Sequence, residues 1–138
     1  MNKTAGFLPY KEIDGEHFLY LQMRTQDAPH NPGMYGLFGG SCERGESAED
    51  ALVREIQEEL SITIEPAQCR YFGEFEEYVS VVSLFGKEVD EDFESLVNVQ
   101  EGEYGAFVSE HDIVNNPLIR GKHQEIFLRV IKLLKCAS

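Results

Sequence analysis

Four residues in one short segment have the types and spacing to do chemistry: Arg54, Glu55, Glu58 and Glu59. At about 100° per residue, a helix over residues 47–60 puts the three glutamates within an arc of roughly 100°. Carboxylates so placed repel. At about 6 Å and an effective dielectric near 20, Coulomb's law gives roughly 3 kcal/mol per pair. Like charges at i,i+3 and i,i+4 also weaken the helix itself. Arg54 offsets one charge, whereas hard divalent cations, which favour oxygen ligands, offset all three. A solvated acidic face is the bland alternative, and the residues upstream weigh against it. Gly39-Gly40 permits a tight turn with a carbonyl free to point at the same cluster, and Glu46 adds a fourth carboxylate at the mouth of the helix.

The flanking residues supply the means to position that edge. Ser47 is a good N-cap, Asp50 three residues on approximates a capping box, and Glu49 and Asp50 suit the positive end of the helix dipole. Leu52, Val53, Ile56 and Leu60 occupy the neighbouring arc, so the helix docks by one side and presents carboxylates along the other. Ala48 and Ala51 are small and leave room for a ligand to approach.

Further out, Asp14-Gly15 is a two-residue hairpin signal between Tyr10 and Arg24, with an apolar run over 17–23 for a buried strand. Residues 25–33 have loop chemistry, and a short strand over 34–38 leads into Gly39-Gly40. Strands are expected over 62–64, 70–75, 77–85 (ended by Gly86-Lys87) and 104–108, with the acidic stretch 87–103 mostly loop. Ser109 and Asp112 start a short helix stopped by Asn115-Asn116-Pro117. A last helix carries Ile126, Phe127, Val130, Ile131, Leu133 and Leu134 as an apolar stripe, opposite Lys122, Arg129, Lys132 and Lys135. The expectation is one mixed α+β domain over residues 1–138.

Charge and composition narrow the function. With 25 acidic against 12 basic residues the net charge is −13, which disfavours nucleic acid as a partner, because binding it needs Lys and Arg to neutralise phosphates. A phosphate-bearing substrate is repelled as well, unless divalent cations stand between it and the protein. Cys42, Cys69 and Cys136 form neither a disulfide framework nor a zinc signature, and Cys42 reads as a tolerated small residue in the glycine turn. No apolar run approaches the roughly 18 residues of a membrane span, and no signal-peptide core precedes Lys11, so a cytoplasmic location without membrane association is expected.

The order of the central residues resembles the Nudix box: G, five residues, E, seven residues, then R-E-U-x-E-E-x-G-U, with U aliphatic. Gly40, Glu46, Arg54, Glu55, Ile56, Glu58, Glu59 and Ile62 meet it at the required spacing. Ser61 stands where the box has a glycine that ends the helix, and Phe38 where members commonly have proline. The first departure touches the helix cap and removes no carboxylate.

The resemblance implies a Nudix-type α/β/α sandwich around a mixed β-sheet, with the box as loop–helix–loop. It also implies magnesium- or manganese-dependent hydrolysis of a nucleoside diphosphate linked to another group. Carried over, Glu58 and Glu59 are the main metal ligands and Glu55 is a ligand or the base that activates water. Arg54 orients the carboxylates, the Gly39 carbonyl is a further metal contact, and Glu46 supports the cluster. Family members add a glutamate from a later loop, and Glu101 of Glu101-Gly102-Glu103 fits, with Glu103 as the alternative. Arg24 and Arg44 are candidate phosphate contacts, and Tyr35, Phe38, Tyr78 and Phe107 candidate base-stacking rings. Tyr78, 16 residues past the box, is placed as in members that cleave dinucleoside polyphosphates, while the proline associated with ADP-ribose hydrolysis is missing. A nucleoside triphosphate, including a modified one, is the leading substrate for so compact a chain. Dinucleoside polyphosphates or nucleotide sugars come next, and a catalytically silent nucleotide-binding module is the alternative of another class. Nudix domains are often dimers, and no interface is legible in this chain.

Overall fold

A computed structural model describes residues 2–136. Seven strands form one sheet: β1 (Asn2–Ile13), β2 (Glu16–Met23), β3 (Tyr35–Gly36), β4 (Phe38–Ser41), β5 (Arg70–Glu76), β6 (Ser80–Glu88) and β7 (Tyr104–Ser109). The spatial order is β3-β2-β1-β6-β5, with β4 paired to β1 and β7 to β2. Only β1 and β6 run parallel; the other pairings are antiparallel, so the sheet is mixed. The β1–β2 hairpin closes at Asp14 and Gly15, both with positive φ (52° and 84°), the backbone of a type I′ turn.

Helices cover both faces because the strands alternate. Ala5 and Phe7 of β1 join Tyr20 and Phe38 under α1 (Ala48–Leu60), where Leu52, Ile56 and Leu60 are fully buried. Burying each of these three contributes roughly 1.5–3 kcal/mol. Leu8, Leu19, Leu21 and Leu84 face the other way, onto α3 (Glu110–Asn115) and α4 (Gly121–Cys136). The fold is therefore an α+β sandwich of the expected kind.

Local differences from the sequence reading have physical causes. Strand β6 runs past Gly86 to Glu88, because Gly86 admits a close neighbour and makes no turn: a Cβ there would lie 2.3 Å from the Phe72 ring. Residues 77–79 form the turn before β6, closed by Glu77 N–H to the Ser80 carbonyl at 2.8 Å, so Tyr78 is not on a strand. The 34–38 segment splits into β3 and β4. Residues 62–64 make no ladder; Ile64 is simply buried under α1. The acidic stretch contains a one-turn helix, α2 (Phe93–Leu96), whose Phe93 plugs the core beside Tyr20 and Phe107. Among the described residues no helix is long and apolar enough to cross a membrane.

Candidate active site

Helix α1 begins where its sequence predicts. The Ser47 hydroxyl accepts the Asp50 N–H at 3.1 Å. It ends at Ser61, which takes the left-handed conformation (φ 59°, ψ 34°) and donates its N–H to the Gln57 carbonyl at 3.1 Å. Serine thus occupies a backbone state that favours glycine. The last carbonyls of the helix are capped from afar: Asn98 N–H reaches Leu60 O at 2.9 Å, and Gln100 N–H reaches Glu59 O at 2.7 Å. These two bonds bring the loop bearing Glu101 onto the end of the helix that carries Glu59.

Arg54 organises the carboxylates. Its Nε and Nη2 donate to the two oxygens of Glu46 at 2.9 and 2.8 Å, a bidentate pair, while Nη1 donates to Glu55 Oε1 at 2.8 Å. Nη2 also donates to the Ser41 carbonyl at 3.1 Å, and Glu58 lies 3.7 Å from Nη1. The guanidinium holds the Glu46 carboxyl down at about 2, helped by the Glu43 N–H. Glu43 lies 3.5 Å from Nε, and of the four carboxylates flanking Arg54, Glu46 is structural in its contacts.

The three glutamates do not share one environment. Glu59 is 1% exposed, although the helical wheel put it beside the others on an open edge. Its Oε1 accepts the Gly39 N–H at 2.8 Å. Burial, opposed by that hydrogen bond and reinforced by the nearby charges of Glu101 and Glu55, pushes its carboxyl up to about 9. Glu55 is nearly covered, while the Glu58 side chain is 57% exposed. Ala51 is buried in the core and leaves no open space.

Two glycines make the contact between loop and helix possible. A Cβ on Gly40 would lie 2.5 Å from Glu55 Cδ, and one on Gly39, at φ 134°, would lie 2.0 Å from the Ala5 carbonyl oxygen. Among the described residues no three His, Cys, Asp or Glu side chains converge as a ready-made cation cage. The donor set nonetheless fits a hard cation. It is all oxygen, it is cradled against glycine backbone, and its innermost carboxyl is destabilised as an anion by burial first and by neighbours of the same sign second.

A cleft of about 510 Å³ opens from Gly39, Gly40 and Ser41 along β1 to Glu77, Tyr78 and His123. Arg24 is the one Lys or Arg among the described residues lining it, and its Nε donates to the His30 carbonyl at 2.7 Å. Tyr78 stands at the far lip, 55% exposed. Arg44 is exposed in the turn before α1 and does not line the cleft. Glu101 lines a smaller adjoining pocket that Arg24 also borders, and Glu103 is exposed with its N–H on the Met23 carbonyl at 2.8 Å. Phe38 is wholly buried and Phe107 packs on Tyr20 and under the Lys11 ammonium, so these two serve the framework; the Tyr35 hydroxyl meets that of Tyr104, and Tyr35 lines a 250 Å³ pocket bordered by Tyr78 and His123. A larger cavity, about 890 Å³, lies between Phe7, Ile64 and Phe93; no box glutamate lines it or the cleft, and only the cleft is bordered by Gly39 and Gly40. Burial raises the Cys42 thiol, as suits an unreactive small residue.

The cleft residues Thr4, Asn31, Glu77, Ser80 and His123 escaped the sequence reading. His123 Nε2 lies 2.9 Å from Glu77 Oε2, across 46 positions of sequence, a spacing with no local signature.

A mixed sheet between helices, with a glycine loop delivering an Arg-held carboxylate helix to a cleft, defines a Nudix-type site. The family model for the NUDIX domain matches residues 4–130. The chain therefore belongs to the Nudix family. It is similar to the MutT protein of Methanosarcina mazei (TM-score 0.77, 23% identity, 97% of this chain and 95% of that one). It is also similar to an Ap4A hydrolase of C. elegans (TM-score 0.70, 18% identity, 98% of each chain). The NUDIX domain of Shewanella oneidensis NrtR, solved with ADP ribose, has a TM-score of 0.71 at 17% identity, covering 97% of this chain and 88% of that one. In sequence, 49 residues are 41% identical to the NAD-capped RNA hydrolase NudC of Vibrio parahaemolyticus; the match covers 36% of this chain and 18% of that relative's length.

Proposed function

We propose that this protein hydrolyses the pyrophosphate bond of a nucleoside diphosphate linked to another group, with a nucleoside triphosphate as the leading substrate. The observation that carries the reading is the buried Glu59 carboxyl, near the charges of Glu55 and Glu101 and accepting the N–H of Gly39, which itself lines the cleft. Burial first, and then the charges of Glu101 and Glu55, disfavour the Glu59 anion, and a cation bound beside it would favour that anion again. Glu59, Glu58 and Glu55, with the Gly39 carbonyl and Glu101, would hold magnesium or manganese. Bound there, the cation supplies Lewis acidity to the phosphoryl oxygens and neutralises the clash between an anionic substrate and a chain of net charge −13.

The chain's own groups have separate tasks. Arg54 holds Glu55 by Oε1 and so fixes the carboxylate that takes the proton of the attacking water. Arg24, tethered through Nε, keeps its other nitrogens for a phosphate in the cleft. Tyr78 offers a ring face at the far lip, where a base would lie. Water's oxygen joins phosphorus as the bridging P–O bond breaks, giving a monophosphate and, from a triphosphate, pyrophosphate. The ligands named for the relatives, ADP ribose and Ap4A, and the NAD cap that NudC acts on, all contain a nucleoside diphosphate linked to another group, which supports this reading. Dinucleoside polyphosphates and nucleotide sugars are the second choice within the same chemistry.

A hydrolysis panel of nucleoside triphosphates, dinucleoside polyphosphates and nucleotide sugars, with and without magnesium, tests it. Turnover is expected only with the metal, and Glu58→Gln is expected to lower kcat by at least tenfold. Metal-independent turnover, or none on any panel member, overturns the proposal.

A further inference from the structure

A buried amide sits in the core strand next to the acidic cluster. Tyr20 of β2 packs under α1, and by the two-residue period of a strand Gln22 faces the same way. Gln22 is 5% exposed. Burying an amide costs free energy unless it finds a hydrogen-bond partner. Its partner is the Glu101 carbonyl, 79 positions away, which accepts from Gln22 Nε2 at 3.1 Å. A carbonyl oxygen only accepts, so the amide presents its NH₂ to the loop. The sheet leaves room for this reach. The residues opposite Gln22 on β3 and β7 are Gly36 and Gly105, so neither neighbouring strand sets a side chain beside it.

The loop is shaped to come that close. Gly102 has φ 79°, and a Cβ on it would lie 2.7 Å from the Met23 carbonyl oxygen and 2.8 Å from Gln22 Cγ. The Glu103 N–H donates to the same Met23 carbonyl at 2.8 Å. On the other side, the Gln100 N–H donates to the Glu59 carbonyl at 2.7 Å. Glu101 therefore sits between two anchors, the end of α1 and strand β2. Because the peptide unit is planar, holding the Glu101 carbonyl fixes the plane between residues 101 and 102 and limits the directions open to the Glu101 side chain. The charge of that side chain is near enough to Glu59 to disfavour its anion. Two acidic groups brought together favour an outward swing of the loop, and the bond from Gln22 opposes it.

We propose that Gln22 is a positioning residue for cation binding, its amide holding the 97–103 loop so that Glu101 shares a divalent ion with Glu59. The inference rests on the reading that Glu59 and Glu101 are metal ligands. Gln22 acts through the Glu101 carbonyl and contacts neither the ion nor the substrate.

The probe is Mn²⁺, titrated into chelator-treated protein and read by the electron paramagnetic resonance signal of the free ion. Gln22→Met keeps the length of the side chain and removes the donor. It is expected to weaken Mn²⁺ binding by about tenfold, the smaller loss usual when the support behind a metal ligand is removed. Its metal-free melting temperature should stay within about 4 °C of wild type, as for the loss of one hydrogen bond. Gln22→Leu, of similar volume and also without a donor, should weaken Mn²⁺ to the same extent. Glu101→Gln separates positioning from a general loosening of the site. In that background Gln22→Met should cost no further Mn²⁺ affinity, because the two changes interrupt one path. For ATP hydrolysis, the magnesium concentration that gives half the maximal rate should rise in Gln22→Met by the same factor, with kcat at saturating magnesium reduced less.

Unchanged Mn²⁺ affinity in both Gln22 variants, or an equal loss with and without Glu101, overturns the inference. Weaker binding in Glu101→Gln with no effect at Gln22 would sink this inference and leave the metal site standing. Mn²⁺ affinity unaffected by Glu59→Gln and Glu101→Gln alike would remove the metal reading, and this inference with it.

Discussion

The Glu55 carboxylate lies against the backbone of Gly40, in the space that a Cβ on residue 40 would need, at 2.5 Å from Glu55 Cδ. Loop and helix are thus shaped to each other at the point where the acidic cluster meets the cleft. The contact is possible only because residue 40 has no side chain.

Gly40→Ala is therefore expected to expel Glu55 from its place beside Arg54 and Glu59. A shift of about 1 Å in a reacting group costs on the order of 10²-fold in rate. Steady-state kinetics should show that loss in kcat with only a small change in melting temperature, since the Glu55 side chain can swing toward solvent.

Glu59 makes the metal-free protein sensitive to cation. Its buried carboxyl is compensated by one N–H, from Gly39, against two neighbouring carboxylates. Adding magnesium or manganese to chelator-treated protein should raise the melting temperature. Glu59→Gln should melt higher than wild type without metal and lose most of the metal-induced increase, as read by differential scanning fluorimetry. An unchanged increment in that variant would remove Glu59 from the ligand set.

Ser61→Gly should stabilise the fold by about 1 kcal/mol, because it relieves a left-handed conformation in a residue with a Cβ. For a chain of this size that is roughly 4 °C in melting temperature. No carboxylate moves, so kcat should be unchanged.

The pH dependence of stability should carry a contribution from Glu77. Burial tends to raise its carboxyl, but hydrogen bonds from His123 and Ser80 outweigh it and the net shift is downward. A carboxyl lowered in the folded state binds protons less readily there than in the unfolded chain. Its stabilisation is present above the ordinary value of 4.5 and is lost as pH falls through the lower folded value. Denaturant titrations should find Glu77→Gln less stable than wild type by about 1.5–3 kcal/mol at neutral pH. The gap should shrink below pH 4.5 as wild type itself is protonated.

Much of this molecule is determined locally. The box is contiguous, its helix starts at a Ser47 cap that needs only Asp50, and the Asp14-Gly15 turn specifies its hairpin through two positive φ angles. Hydrophobic alternation and the 3.6-residue stripe of α4 likewise express short-range physics, so the sandwich was legible before any contact was known. Tertiary structure decided what depends on partners distant in sequence. Glu59 is buried and Glu58 exposed because of where α1 lies against Gly39 and the 97–103 loop, which a wheel with one undivided edge does not contain. Gly86 continues a strand because Phe72 needs its space. The far wall of the cleft, Asn31 to His123 to Glu77, joins a loop, a helix and a turn that meet only when the sheet closes. The acidic edge thus lies within 23 consecutive residues, whereas the far wall of the cleft exists only after folding.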